Sequence, residues 1–192
     1  MKINKKSILY SIVYMIALSA VLTFFLALIN QQTKPLVERN AKLKEERGLL
    51  YVLGIENDGT PEDIVDKIEK NVEETGKTFN DQPVYVYKEN DEVKAYALTI
   101  KGSGLWGPIE GIIGVTPDFK ETTGIEFLEQ SETPGLGGRI SESAYKEQYR
   151  GAKVDDIRGT VDAISGATGT SSSVYNLVDS NIAEFIKNQG DN

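Results

Sequence analysis

The 192-residue chain contains no cysteine and no histidine, and these two absences exclude much redox and hydrolytic chemistry. Without cysteine there is no disulfide framework, no cysteine-ligated iron–sulfur cluster and no thiol-linked lipid anchor. Without histidine, Ser-His-Asp triads and histidine-ligated zinc or haem are also excluded. Any redox chemistry must therefore be carried by an organic cofactor, and we predict no metal site.

Positive charge is scarce as well. Lys and Arg number 21 against 29 Asp and Glu, which gives a formal net charge of -8. A nucleic-acid partner requires a basic face that neutralises phosphates, so this class of partner is excluded. The length suffices for one acidic domain with a real core, with room for a small appended subdomain.

One uncharged run departs from this composition. Residues 8–29 carry no charged side chain, and about 20 apolar residues suffice to cross a hydrocarbon core of ~30 Å. A secretory signal also begins with basic residues, but its apolar region is only ~7–15 residues long and ends in small residues. This run stays bulky to its end. We therefore predict a cytoplasmic N-terminus over residues 1–7 and a retained transmembrane helix over residues 8–29. Lys and Arg on both sides leave its orientation open.

Beyond the membrane, residues 30–80 are predicted to form a membrane-proximal helical segment. Within it, Thr60 is a good N-cap and Pro61 suits the first helical position, and the amphipathic helix that they begin is expected to end near Gly76. Residues 81–192 are predicted to form the folded domain.

This domain shows both strand and helix patterns. Two β-rich runs flank a polar turn at residues 89–92 and predict a hairpin. Further strands are predicted over Ile109–Val115 and Gly124–Glu129, and a helix over Ser171–Lys187. The predicted fold class is α+β, with antiparallel strands and flanking helices after a single N-terminal transmembrane helix.

Three glycine-bearing stretches stand out, and each has a plain structural explanation. Lys101–Gly114 holds the only tryptophan, Trp106, whose side chain either packs in the hydrophobic core or offers a surface on which a ring can stack. Glu129–Ile140 contains a turn that an ordinary loop would explain. In both, glycines permit close approach to a flat ligand.

The third stretch, DAISGATGTSSS, runs from Asp162 to Ser173 before the last predicted helix. Ser165, Thr168 or Thr170 is expected to cap that helix, whose start supplies free N–H groups and partial positive charge. Neither a P-loop nor a GxGxxG loop is present. The residues thus indicate a hydroxyl-rich anion pocket at a helix N-terminus.

The same stretch carries a resemblance. Asp162-x-x-Ser165-Gly166-Ala167-Thr168-x-Thr170 matches the D-x-x-[ST]-G-A-[TS]-x-[ST] pattern of the FMN-binding domain family. KGSGLWGPI and ETPGLGG are similar to that family's other two segments, in the same order. With its predicted anchor, the chain resembles the G subunits of Rnf electron-transport complexes. It is more distantly similar to the C subunits of sodium-pumping NADH:quinone oxidoreductases.

The resemblance implies a covalent cofactor. A flavin transferase would join FMN to Thr170 by a phosphoester bond, with Asp162 at the position that the transferase recognises. The N–H groups of residues 171–173 are expected to stabilise the phosphate. The remaining implied contacts are a turn around the phosphate (Ser165, Gly166, Ala167, Thr168), a lining for the isoalloxazine (Glu132, Thr133, Gly135, Leu136) and nearby packing by Trp106.

The resemblance also implies a place and a role. The domain would be extracytoplasmic on a single-pass protein of the inner or plasma membrane, with the N-terminus inside. The chain would relay electrons in a complex that couples ferredoxin:NAD electron transfer to ion translocation. Its partners would be the other membrane subunits, and it would not be catalytic alone. The Rnf group is preferred because the chain lacks the longer insertions of the quinone reductase group.

Three alternatives stay open. In the first, the chain would be the FMN-carrying subunit of the sodium-translocating quinone reductase. In the second, it would be an extracellular flavoprotein or reductase of the same domain family. In the third, it would be a membrane-anchored, cofactor-free sensor or scaffold. The extracellular flavoproteins usually carry a lipid-anchor cysteine, tandem domains or fused reductase domains, which this sequence lacks.

Overall fold

A computed structural model describes residues 5–190, which divide into two compact units after Lys42. The first helix, α1, runs over Lys5–Val52. Among the described residues, one helix, Ile8–Val52, is long and apolar enough to cross a membrane, and its most apolar window is exposed. The predicted run at residues 8–29 lies within this helix, and its crossing of a membrane stays a prediction. Residues 1–4 lie outside the described residues, and so does most of the predicted cytoplasmic N-terminus.

The second unit is built on a five-stranded antiparallel meander in the order β1-β2-β3-β4-β5. Its strands are β1 Val72–Phe79, β2 Gln82–Glu89, β3 Glu92–Ser103, β4 Pro108–Val115 and β5 Thr122–Gln130. Its helices are α2 Pro61–Asn71, α3 Ser143–Lys146, α4 Ile157–Thr160 and α5 Thr168–Gly190, with 3₁₀ turns at Gly137–Ser141 and Glu147–Tyr149. The predicted α+β class with one N-terminal apolar helix is confirmed.

Residues 72–76, predicted to belong to the amphipathic helix, instead form part of the first strand, Val72–Phe79. Helix α2 begins as expected, with a capping box in which the Thr60 side chain accepts from Asp63 N. It ends at Asn71 because the backbone turns extended at Val72, which pairs with β2. Gly76, expected to end the helix, has φ +75° inside a pairing irregularity of β1. Non-local pairing overrides the weak helical pattern here.

The other predicted elements agree well with the structure. The hairpin turn lies between β2 and β3, with Asn90 and Asp91 at φ 53° and 64°, the values that a type I′ turn requires. Strands β4 and β5 cover the two predicted ranges with small extensions. The last helix begins at Thr168 instead of Ser171, since Ser171 N already donates to the carbonyl oxygen of Ala167 at 3.0 Å.

The sheet buries residues on both faces. One face packs on α5, in a core that includes Leu98, Ile113, Val178 and Ile182. On the other face, the sheet residues Ala95, Ala97 and Ile112 form a smaller cluster with apolar residues at and just beyond the end of α1 (Leu49, Val52, Leu53). Each fully buried Leu, Ile or Val contributes ~1.5–3 kcal/mol by leaving water. The packing of α5 on the sheet brings its N-terminus close to the loops that follow β3 and β5.

Candidate cofactor site

Glu132 joins the three glycine-bearing stretches at one point. It follows β5 and is only 5% exposed. Its Oε1 accepts hydrogen bonds from the backbone N–H groups of Leu105 (2.8 Å) and Trp106 (3.1 Å). Its Oε2 accepts from Thr170 Oγ1 at 2.6 Å. One buried carboxylate therefore connects the β3–β4 turn, the loop after β5 and the first turn of α5.

Two glycines make this convergence possible. A Cβ on Gly104 would lie 2.4 Å from Glu132 Oε1, and a Cβ on Gly137 would lie 2.4 Å from Thr170 Oγ1. Real side chains do not pack at such distances. A residue larger than glycine at either position would displace the carboxylate or the hydroxyl.

The first turn of α5 provides hydrogen-bond donors. Helix geometry leaves the N–H groups of Thr168, Gly169 and Thr170 without an intrahelical acceptor and places partial positive charge there. Thr168 and Gly169 are exposed, whereas Thr170 is only 2% exposed. This end of α5 therefore favours an anion such as a phosphate.

The helix start differs in detail from the sequence prediction. Thr168 and Thr170 lie inside α5, and Ala167 precedes its first residue, so none of the three hydroxyls expected to cap occupies the cap position. Ser171 orders the preceding turn instead, because its Oγ accepts from Ile164 N (3.0 Å) and donates to Ala167 O (3.1 Å). The prediction that the N–H groups of residues 171–173 face a phosphate is also wrong, since helix bonds use them.

The turn of residues 165–168 faces the loop after β5. Gly166 has φ +80°, a left-handed conformation that favours glycine, and the position of its missing Cβ is 3.6 Å from Leu136 Cδ2. Ser165 is exposed and Ala167 is buried. The exposed Asp162 is held through its backbone, where its N–H donates to Gln148 Oε1 at 2.8 Å.

The loop after β5 closes as a tight turn. The N–H groups of Leu136 and Gly138 both donate to the carbonyl oxygen of Thr133, at 3.1 and 2.9 Å, and Gly135 has φ +74°. Thr133 and Gly135 are exposed. Leu136 keeps 47% of its surface exposed although it is apolar.

Trp106 does not pack in the hydrophobic core, because 71% of its surface is exposed. Its neighbour Leu105 is 57% exposed and lies near Gly169, whose missing Cβ would be 3.3 Å from Leu105 Cδ2. Sequence reasoning did not select Leu105. Its position beside the tryptophan inside a glycine-rich turn was the available signal.

The residues present fit a flat ring that carries a phosphate. Exposed apolar side chains (Leu105, Trp106, Leu136) lie on the segments that meet at Glu132, and the N-terminal donors of α5 lie beside Thr170. Glycines allow the backbone to approach closely. No group of acidic side chains suited to a metal ion occurs within the described residues.

Comparison with known proteins agrees with this geometry. Residues 104–183 match the model of the FMN-binding domain family. The chain is 31% identical over 128 residues to the C subunit of the Na(+)-translocating NADH-quinone reductase of Vibrio alginolyticus, a match that covers 58% of this chain and 50% of the relative. It is 40% identical over 91 residues to the corresponding protein of Chlamydia pneumoniae, covering 46% of this chain and 28% of the relative.

Two solved structures share the fold. The C subunit of the Na(+)-translocating NADH-quinone reductase from Parabacteroides distasonis superposes with a TM-score of 0.66 at 23% identity, over 80% of this chain and 95% of that one. NqrC of Shewanella oneidensis gives 0.61 at 20% identity, over 72% and 91%. The sequence matches span 50% of the Vibrio alginolyticus relative and 28% of the Chlamydia pneumoniae relative. Residues 104–183 thus match the FMN-binding domain family, and the chain is similar in sequence to the C subunits of Na(+)-translocating NADH-quinone reductases.

Proposed function

We propose that the chain is a membrane-anchored electron carrier whose FMN is joined to Thr170 through a phosphoester bond. The observation that carries this proposal is the position of Thr170, at the N-terminus of α5 and at the junction of the three glycine-bearing stretches. When bound, FMN supplies one- and two-electron redox chemistry. A covalent link keeps it on the chain.

The chain's own residues hold and orient the group in this proposal. The N–H groups of Thr168, Gly169 and Thr170 stabilise the negative charge of the phosphodiester. Ser165, Gly166, Ala167 and Thr168 form the turn beside it. Leu105, Trp106 and Leu136 offer exposed apolar surface to the ring, and Thr133 and Gly135 complete that side.

The test is the mass of the intact chain, isolated from cells that contain a flavin transferase. Native protein is expected to carry the mass of one FMN less one water, together with flavin fluorescence that survives denaturing electrophoresis. Thr170→Ala is expected to lose both. The matched control is Ser172→Ala, which removes a hydroxyl of the same stretch that lies beyond the motif, and it is expected to keep the adduct. A native chain that gains no adduct beside an active transferase would favour the cofactor-free scaffold.

The proposed place of action is a multi-subunit oxidoreductase in the inner or plasma membrane. The apolar run of α1 would cross the membrane once, with the N-terminus inside and the flavin domain outside. Cysteine labelling tests this orientation. A cysteine introduced at Ser180, an exposed position of α5, is expected to react with an impermeant reagent in intact spheroplasts.

Two complexes fit this role. An Rnf-type complex is proposed from the motif order and the anchor, and the sodium-translocating quinone reductase is equally supported because the described relatives are its C subunits. The two complexes are distinguished by comparing the enzymatic activities of membranes from cells with and without the chain. Loss of ferredoxin:NAD activity supports the first, and loss of sodium-stimulated quinone reduction by NADH supports the second.

A further inference from the structure

The Thr170 hydroxyl already has a base within reach, and this base belongs to the same chain. Glu132 Oε2 is 2.6 Å from Thr170 Oγ1, the distance at which a carboxylate can take a hydroxyl proton. The other carboxylate oxygen is held by the N–H groups of Leu105 and Trp106. A nucleophile, an adjacent base and a group that orients the base are the parts of an activated nucleophile.

We propose that Glu132 is the catalytic base for the attachment of the flavin to Thr170. This inference rests on the proposed function above. It assigns the deprotonation of the threonine to the acceptor domain itself, whereas the flavin transferase supplies the binding of FAD.

The step balances as a phosphoryl transfer. Thr170 Oγ1 forms a bond to the flavin-side phosphorus of FAD, and the pyrophosphate bond breaks. AMP leaves with the electron pair of that bond. The hydroxyl proton passes to Glu132 Oε2, where it continues to bridge the two oxygens. A protonated Glu132 also removes the repulsion between a carboxylate and the new phosphodiester.

The burial of Thr170 is consistent with Glu132 acting as the base while the transferase binds FAD. Gly137 lies over the hydroxyl, and Thr170 is 2% exposed, so the turn at residues 133–137 must move before phosphorus can approach. Glu132 precedes that turn, and its Oε1 bonds attach it to the separate β3–β4 turn. The carboxylate therefore stays beside Thr170 when the turn lifts. The free N–H groups of α5 then face the transferred phosphate.

The experiment follows flavin transfer to the purified full-length chain in detergent, with FAD and a flavin transferase, by intact mass against time. Glu132→Gln keeps the size and the acceptor for Leu105 and Trp106 but cannot take a proton. Its turnover rate is expected to fall about 100-fold or more, with the KM for the acceptor chain unchanged. Glu129→Gln, an exposed neighbour, is the matched control and is expected to react at the native rate.

A thermal melt of each unmodified variant checks folding. If Glu132→Gln does not fold, Glu132→Asp gives the same test, because its shorter carboxylate no longer reaches Oγ1 and its rate should fall at least tenfold. A native rate in the folded variant, or a loss confined to KM, would overturn the assignment to Glu132. A native chain that never gains the adduct would instead refute the proposed function, so the two failures are distinguishable.

Discussion

The substitution Gly137→Ala measures how tightly the candidate site is packed. Its Cβ would lie 2.4 Å from Thr170 Oγ1 and 2.7 Å from Glu132 Oε2, about 1 Å inside an ordinary contact of ~3.5 Å. Overpacking of this kind costs about 1–3 kcal/mol. Separating the hydroxyl from the buried carboxylate leaves a polar group short of a partner and costs about 1–3 kcal/mol more. Together these costs amount to about 2–6 kcal/mol of unfolding free energy.

The assay is thermal unfolding of the unmodified full-length chain, followed by circular dichroism. For a domain of about this size, each kcal/mol shifts the Tm by ~2–4 °C, so a decrease of roughly 4–24 °C is expected. Gly138→Ala is the matched control, because its Cβ would have no neighbour closer than 3.3 Å, the Thr133 carbonyl oxygen. Equal melting of both variants and the native chain would refute the argument that Gly137 is required for the Thr170–Glu132 contact.

Two further outcomes are expected. Gly114→Ala in β4 would place a Cβ 2.2 Å from the carbonyl oxygen of Val52 and should lower the unfolding free energy by about 1–3 kcal/mol in denaturant titration. A native-like value would show that the end of α1 adjusts freely. Burial raises the pKa of Tyr145 from 10.0 to about 12. Because the pKa of Tyr145 is higher in the folded state, its neutral phenol contributes to the free energy of unfolding. That contribution is complete below about pH 10 and is lost as the pH rises toward about 12. An ultraviolet titration should show late tyrosine ionisation that diminishes in Tyr145→Phe, and unchanged titration in that variant would contradict the assignment.

Local patterns predicted much of the fold. The capping box at Thr60, the type I′ turn at Asn90-Asp91 and the ranges of β4 and β5 depend on neighbours a few residues apart, so the sequence carries their signal directly. The uncharged run at residues 8–29 is equally local. Strand β1 was mistaken for helix because its partner, β2, contributes the hydrogen bonds that decide its conformation.

By itself, the sequence determined which residue types were available for chemistry. It contains no cysteine or histidine, and its hydroxyl-rich stretch Asp162–Ser173 precedes an apolar helical pattern. Only the tertiary structure decided what those residues contact. The Thr170–Glu132 hydrogen bond joins positions 38 residues apart, and the exposure of Trp106 depends on how its turn lies against Glu132. Periodicity and turn chemistry describe neighbours along the chain, whereas this carboxylate is placed by the packing of α5 against the sheet.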